Sequence, residues 1–113
     1  MLYNSEKRRA ERVSTERPVK LATDQGQTDA KMLDLSILGT GILSSQKVEQ
    51  GEKVAVTFKL PSVGRSEIHL DGVTAHSSHI RDHQYLIGIE FTGISKYMQS
   101  VITEYIQYHH RLD

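Results

Sequence analysis

The chain contains no cysteine and no long apolar run, and each absence excludes a class of protein. Without cysteine there is neither a disulfide framework nor a thiolate metal site, and a reducing compartment is the natural setting. No apolar stretch approaches the roughly 20 residues that a transmembrane helix needs. The segment from Met1 to Arg12 also lacks the apolar stretch of a signal peptide. We therefore expect a soluble, cytoplasmic protein without a membrane span.

The chain also lacks an excess of one charge and is poor in aromatic residues. It carries 14 Lys and Arg against 14 Asp and Glu, and aromatics make up 6% of its 113 residues. A zero net charge argues against binding of a nucleic-acid polymer. A barrel that binds single-stranded RNA needs aromatic side chains between basic ones, and these are scarce here. The length suits a single domain.

Basic residues are nevertheless concentrated near the N-terminus. The segment from 6 to 20 holds Lys7, Arg8, Arg9, Arg12, Arg17 and Lys20 against Glu6, Glu11 and Glu16. Such a segment is usually a solvated, disordered tail. If it binds a ligand, its local excess of positive charge favours a compact polyanion over a long duplex.

Alternation of apolar and polar residues predicts six short strands in the body of the chain. The clearest stretch places one set of apolar residues on a single face: Val54, Val56, Phe58 and Leu60. In the following strand the phase of the pattern slips at Asp71-Gly72, which predicts a β-bulge or a bend there.

From Ile94 onward the apolar residues recur at intervals of three and four, which predicts one amphipathic helix with Ser95 as its N-cap. The predicted buried stripe comprises Ile94, Tyr97, Met98, Val101, Ile102, Tyr105 and Ile106. Six strands followed by one helix, without βαβ alternation, predict a small antiparallel barrel or sandwich closed by a C-terminal helix. Residues 1–14 lack periodicity and are predicted to form a flexible arm, with the folded domain at 15–113.

Two short motifs carry the chemistry of this sequence. Arg8 and Arg12 frame the segment Arg8-Arg9-Ala10-Glu11-Arg12, and Asp34, Ser36 and Gly39 follow ahead of the remaining strands. Planar guanidinium groups pair bidentately with phosphate oxygens or with the O6/N7 edge of guanine. A carboxylate accepts from the remaining guanine N–H groups, and a glycine lets the backbone come close. Together these residues suit an anionic ligand that bears guanine.

The second motif also fits a simple turn. Asp and Ser side chains cap neighbouring backbone N–H groups, and Gly adopts positive φ. Both interpretations can hold for Asp34, Ser36 and Gly39, because a turn can present side chains to a ligand.

Other constellations that would indicate catalysis or metal binding are weak. His76, His79 and His83 are spaced by three and four residues, but they fall at a strand end and a turn, so we interpret them as polar loop histidines rather than metal ligands. Ser36 is not in a Gly-x-Ser-x-Gly elbow, and no Walker or dinucleotide fingerprint is present. We therefore expect no enzyme activity, no metal and no cofactor.

The paired motifs resemble those of the PilZ family, bacterial receptor domains for cyclic di-GMP. The family signatures RxxxR and (D/N)xSxxG map onto Arg8 and Arg12 and onto Asp34, Ser36 and Gly39. A third, weaker feature, a glycine and a phenylalanine three residues apart on a late strand, is matched by Gly88 to Phe91. The resemblance extends from about Glu6 to the end of the chain. It implies a six-stranded antiparallel barrel with a C-terminal helix and a flexible N-terminal arm.

The resemblance also implies a function and a set of ligand contacts. Cyclic di-GMP is expected to bind through Arg8, Arg12, Asp34, Ser36 and Gly39, with Lys7 and Arg9 as additional candidates for phosphate or stacking contacts. Binding would order the arm and signal to an unidentified protein partner in motility or biofilm regulation. We expect a monomer or weak dimer. The alternative is a PilZ-like adaptor that docks to a protein partner without binding nucleotide.

Overall fold

The computed structural model describes residues 11–60 and 67–112, and side chains as far as His109. This part of the chain forms six strands and one helix: β1 (Val13–Thr23), β2 (Gly26–Leu35), β3 (Gly39–Ser44), β4 (Lys53–Phe58), β5 (Ile68–Arg81), β6 (Gln84–Phe91) and α1 (Lys96–Leu112). All neighbouring strands are antiparallel and close into a barrel in the order β1-β2-β3-β6-β5-β4. The predicted fold class is confirmed.

Most of the predicted arm lies outside the described residues, and β1 already begins at Val13, inside the range 1–14 assigned to the arm. The described part of the chain contains no helix with the length and apolarity that crossing a membrane requires.

Tight hairpins set the antiparallel order. Thr23 pairs with Gly26 across a two-residue loop, and Gly26 has a φ of 121°, which favours glycine. The Thr23 hydroxyl accepts a hydrogen bond from the Gln25 amide at 3.0 Å and supports the same loop. Arg81 pairs with Gln84 across a second two-residue loop. These loops leave β1 and β5 beside the strands that follow them.

The barrel closes through a short seam between β1 and β4. Lys20, Leu21 and Ala22 pair with Thr57, Val56 and Ala55, and the described chain contains no further pairing between these two strands. Beyond the seam, Arg17 donates from Nε to the carbonyl oxygen of Lys59 at 3.0 Å. A cavity of about 260 Å³ opens between the strands where they part.

The core fills the barrel and is sealed by α1. The side chains that are 0% exposed include Leu21, Met32, Leu35, Ile42, Val56, Leu60, Ile87 and Ile102. Each large apolar side chain buried in this way contributes roughly 1.5–3 kcal/mol. Tyr105 is 1% exposed, and its hydroxyl hydrogen-bonds the Thr15 hydroxyl at 3.1 Å, which fixes the helix against the start of β1.

The helix begins as predicted but buries a narrower stripe. The Ser95 hydroxyl accepts a hydrogen bond from the Met98 amide at 3.1 Å, so the predicted N-cap is confirmed. Tyr97, however, is 72% exposed, so its place in the buried stripe was wrong. The helix turns Met98, Ile102 and Tyr105 toward the barrel, and successive residues differ by about 100° around a helix. Tyr97 therefore lies on the flank.

The bulge predicted at Asp71-Gly72 was also wrong. Pairing between β5 and β4 is continuous from Ile68 to Val73, and the register of β5 shifts against β6 between Thr74 and His76 and again between His79 and Arg81. Gly72 and Thr74 stay on the core side although neither is a large apolar residue. The alternation of apolar residues in the sequence therefore changes phase several residues before the register of the strand shifts.

Thr74 carries a hydroxyl that is buried in the core. It is 1% exposed, and its Oγ1 has no hydrogen-bond partner within the described part of the chain. A buried hydroxyl without a partner costs roughly 1–3 kcal/mol. Thr74→Val keeps the shape and removes that hydroxyl, so we expect it to raise the free energy of unfolding by about 1 kcal/mol. Urea denaturation measures this change.

Thr40→Val is the matched control. Thr40 is 2% exposed, and its Oγ1 donates to the Asp34 carbonyl oxygen at 2.7 Å. Loss of that bond should lower the free energy of unfolding by about 1 kcal/mol. Equal destabilisation by both substitutions would show that the Thr74 hydroxyl is satisfied after all.

Candidate functional site

Two β-bulges turn polar side chains out of the barrel wall. In β2 the register shifts between Met32 and Asp34, and in β5 it shifts between Thr74 and His76. Met32 and Thr74 face the core, and strict alternation would send Asp34 and His76 the same way. The extra residue in each strand reverses the phase, so both side chains emerge on the outer surface.

Strand register then places the two side chains in one row. Asp34 pairs with Gly41, Gly41 with Gly88, and Gly88 with His76. Directly paired residues in a sheet point to the same face. The row therefore has a carboxylate at one end, an imidazole at the other and two residues without side chains between them. We call Asp34, Gly41, Gly88 and His76 the glycine row.

Arg12 joins the first motif to the second across the sheet. Ser14 pairs with Asp34, and Arg12, two residues earlier, lies on the same side as Ser14. Its Nη1 donates to Asp34 Oδ1 at 2.7 Å, and the Gly41 amide donates to the same oxygen at 2.9 Å. The side chains of Arg12 and Asp34 are 54% and 31% exposed, so the pair remains open to solvent.

Ser36 and Gly39 shape the turn between β2 and β3. The Ser36 hydroxyl accepts hydrogen bonds from the amides of Leu38 at 3.1 Å and Gly39 at 3.3 Å, and its side chain is completely buried. A Cβ on Gly39 would overlap the carbonyl oxygen of Ile89, so only glycine lets β3 approach β6 here. The Ser36 contacts match the turn interpretation of the motif, whereas Gly39 lacks the positive φ expected of it and is required by the close approach instead.

A cavity of about 270 Å³ lies over the glycine row. Its lining includes Arg12, Asp34, Gly41, His76 and Gly88. Its volume falls just below the ~300–1,000 Å³ of typical small-molecule sites, so a larger ligand would be only partly enclosed. Two wider depressions, of about 580 and 610 Å³, lie elsewhere and contain none of the motif residues.

The structure therefore brings part of the predicted site together. Arg12 and Asp34 are in direct contact, while Ser36 and Gly39 form the adjoining turn. Arg8, together with Lys7 and Arg9, lies outside the described residues. No cluster of three or more His, Cys, Asp or Glu that could hold a metal ion is present in the described ranges.

Sequence reasoning missed the position of one histidine. His76 was interpreted as a loop residue, yet it belongs to β5 and borders the cavity. The available signal was a pair of glycines inside strands, Gly41 and Gly88. Neither has the positive φ that would require glycine, so they point to a close approach on the outer surface instead.

Comparison with known proteins places the chain in a family. A family model described as PilZ domain matches residues 6–108. A search of curated proteins found no match.

Solved structures share the fold at low sequence identity. The PilZ domain of Escherichia coli YcgR with c-di-GMP is 18% identical with a TM-score of 0.72, and the match covers 93% of this chain and 92% of that one. The Bacillus subtilis inhibitor of motility, MotI/DgrA, is 14% identical with a TM-score of 0.78. Borreliella burgdorferi PlzA in complex with c-di-GMP is 16% identical with a TM-score of 0.66. The match to MotI/DgrA covers 93% of this chain and 52% of that one, and the match to PlzA covers 92% of this chain and 44% of that one. The chain therefore spans about half the length of these two proteins.

Proposed function

The chain belongs to the PilZ domain family, and from that membership we propose that it is a cyclic di-GMP receptor that uses the cavity over the glycine row. The observation that supports this function best is the contact between Arg12 and Asp34, which joins the two motifs at the edge of that cavity. The ligand itself is taken from the c-di-GMP complexes of YcgR and PlzA.

The guanidinium of Arg12 has donors left for a ligand. A guanidinium carries five N–H groups, and the described contacts of Arg12 use Nη1 for Asp34. The remaining donors suit a phosphate or the O6/N7 edge of guanine, both of which accept two parallel hydrogen bonds. Because Asp34 already holds the side chain, less rotamer entropy is lost when the ligand binds.

Asp34 supplies the acceptor that distinguishes guanine from adenine. Its Oδ1 accepts hydrogen bonds from Arg12 Nη1 and from the Gly41 amide. Within the described part of the chain, no hydrogen bond uses Oδ2. Guanine offers N1–H and N2–H donors to such an oxygen, and adenine does not. A site that satisfies a carboxylate with one base therefore discriminates against the other. Ser36 and Gly39 act beneath it by fixing the turn.

The arm completes the site in this proposal. Arg8 supplies the second guanidinium, with Lys7 and Arg9 as further cationic contacts. Since the cavity encloses only part of a cyclic dinucleotide, the arm covers the rest. Ordering costs roughly 1–2 kcal/mol per fixed residue, which the charged contacts offset. The ordered arm then presents a new surface to a protein partner.

Calorimetric titration of the purified protein tests this function. We expect saturable 1:1 or 2:1 binding of cyclic di-GMP and no measurable binding of GTP or single-stranded RNA. Cyclic di-AMP should bind at least about tenfold more weakly, because it lacks the donors for Asp34. Absence of cyclic di-GMP binding in a folded preparation would overturn the proposal and favour a protein-docking adaptor.

A further inference from the structure

We infer that His76 is the stacking platform for one guanine base, which assigns the histidine a role in ligand recognition. The inference rests on the proposed function, because it names a further contact within the same site. The observations that carry it are the orientation of the imidazole on the sheet, its position in the cavity and its alignment with Asp34.

The imidazole of His76 lies over Gly88, with Cε1 as its nearest atom. A Cβ built on Gly88 would overlap Cε1 of the ring, and it would lie 2.8 Å from Nδ1 and 2.9 Å from Nε2. Distances this short to both nitrogens place that point out of the plane of the ring and next to Cε1. The Cε1 side of one ring face therefore lies over Gly88. His76 is an exposed residue, so the opposite face is open.

The open ring face is within reach of the ion pair. The Asp34 carboxylate leans over Gly41, because a Cβ there would lie 3.0 Å from Oδ2 and 3.1 Å from Oδ1. The carboxylate lies over Gly41 and the imidazole lies over Gly88. These two glycines are paired on neighbouring strands, and neighbouring strands are about 4.8 Å apart. One planar base resting on His76 can reach Asp34 with its edge.

Stacking, rather than charge, is the contact that this geometry offers. A flat ring with one covered face and one open face binds any base by its π-surface. The specificity then comes from Asp34 and Arg12 at the edge of the base. The imidazole of His76 can come this close to the sheet because Gly88 has no side chain.

Substitutions at His76 separate stacking from other contacts. We expect His76→Ala to weaken cyclic di-GMP binding about tenfold, within the roughly 5- to 150-fold range for loss of one base–aromatic stack. His76→Phe keeps a flat ring and should bind within about threefold of the wild type. His69→Ala is the matched control, since His69 is exposed on the same strand, bonds Thr57 at 2.9 Å and lies outside the cavity.

Gly88→Ala tests the orientation of the ring. The three atoms nearest to its new Cβ all belong to the movable imidazole, so we expect the ring to be lifted while the domain stays folded, and binding to weaken about tenfold. In the His76→Ala background the same change should have little further effect, because there is no ring to displace. A double-mutant cycle of the four affinities measures this coupling.

The outcomes distinguish the inference from the function on which it rests. If the wild type binds cyclic di-GMP and His76→Ala binds equally well, the stacking role is wrong while the receptor function stands. If His76→Phe is as weak as His76→Ala, the contact is a hydrogen bond and the stacking role is again overturned. If the folded wild type binds no cyclic di-GMP, both fail. Thermal melts of each variant verify folding.

Discussion

Arg12→Ala is expected to weaken cyclic di-GMP binding by at least about tenfold while leaving the fold intact. Each charge-assisted hydrogen bond from the guanidinium contributes roughly 1.5–3 kcal/mol, which corresponds to about 10- to 150-fold in affinity. The ion pair with Asp34 is solvent-exposed and is worth only about 0–1 kcal/mol to stability, so the melting temperature should change little. Calorimetry and a thermal melt on one preparation measure both quantities.

Arg17→Ala provides the matched control for that experiment. Arg17 belongs to β1, but its guanidinium donates to the Lys59 carbonyl oxygen and lines a different cavity. Its removal should leave cyclic di-GMP affinity within about twofold of the wild type. If Arg12→Ala and Arg17→Ala bind equally well, the proposed ligand does not contact Arg12. Arg8→Ala should behave like Arg12→Ala, since the proposal gives both guanidinium groups to the ligand.

Ile102→Asp is expected to unfold the domain or leave it barely folded. Ile102 is 0% exposed on the face of α1 that seals the barrel. Truncation of such a residue alone costs roughly 2–5 kcal/mol, and a carboxyl group without a partner adds a desolvation cost. The total stability of a small domain is only about 5–15 kcal/mol, so most of it would be lost. Chemical denaturation together with size-exclusion chromatography reveals the change.

Thr103→Asp places the same side chain one residue further along the helix, on its exposed face. It should leave the denaturation midpoint close to that of the wild type, because surface substitutions usually change stability by less than about 0.5 kcal/mol. A normal melting curve for Ile102→Asp would mean that α1 does not pack into the barrel as described. Val101 is only half-buried, so Val101→Asp should have an intermediate effect.

Regular alternation made the strands and the helix predictable from the sequence. The apolar residues of β4 recur every second position, and Ser95 marks the start of α1 with a side chain that can cap it. Tyr97 followed the helical spacing but lies on the flank, because spacing fixes which residues share a stripe and not how far the partner surface extends around the helix.

The site was only partly predictable, because it depends on irregularities of the sheet. The motifs identified Arg12 and Asp34 from their chemistry, and the structure places them in contact. His76 was interpreted as a loop residue because its direction depends on the bulge before it, and a bulge leaves no fixed residue pattern. Register between strands distant in sequence is set by tertiary pairing, so the alignment of Gly41 with Gly88 was likewise inaccessible.

The short seam between β1 and β4 bears on how the domain behaves among other proteins. Where the two strands part, the first half of β1 has no strand paired on that side within residues 11–60 and 67–112, and such edges are templates on which another chain adds a strand. This edge is poorly suited to that role. Pro18 offers no N–H, and the gap is lined by charged side chains of both signs: Arg17, Lys20, Lys59, Asp29 and Glu67. Both features disfavour edge-to-edge association between copies of the domain at this part of β1.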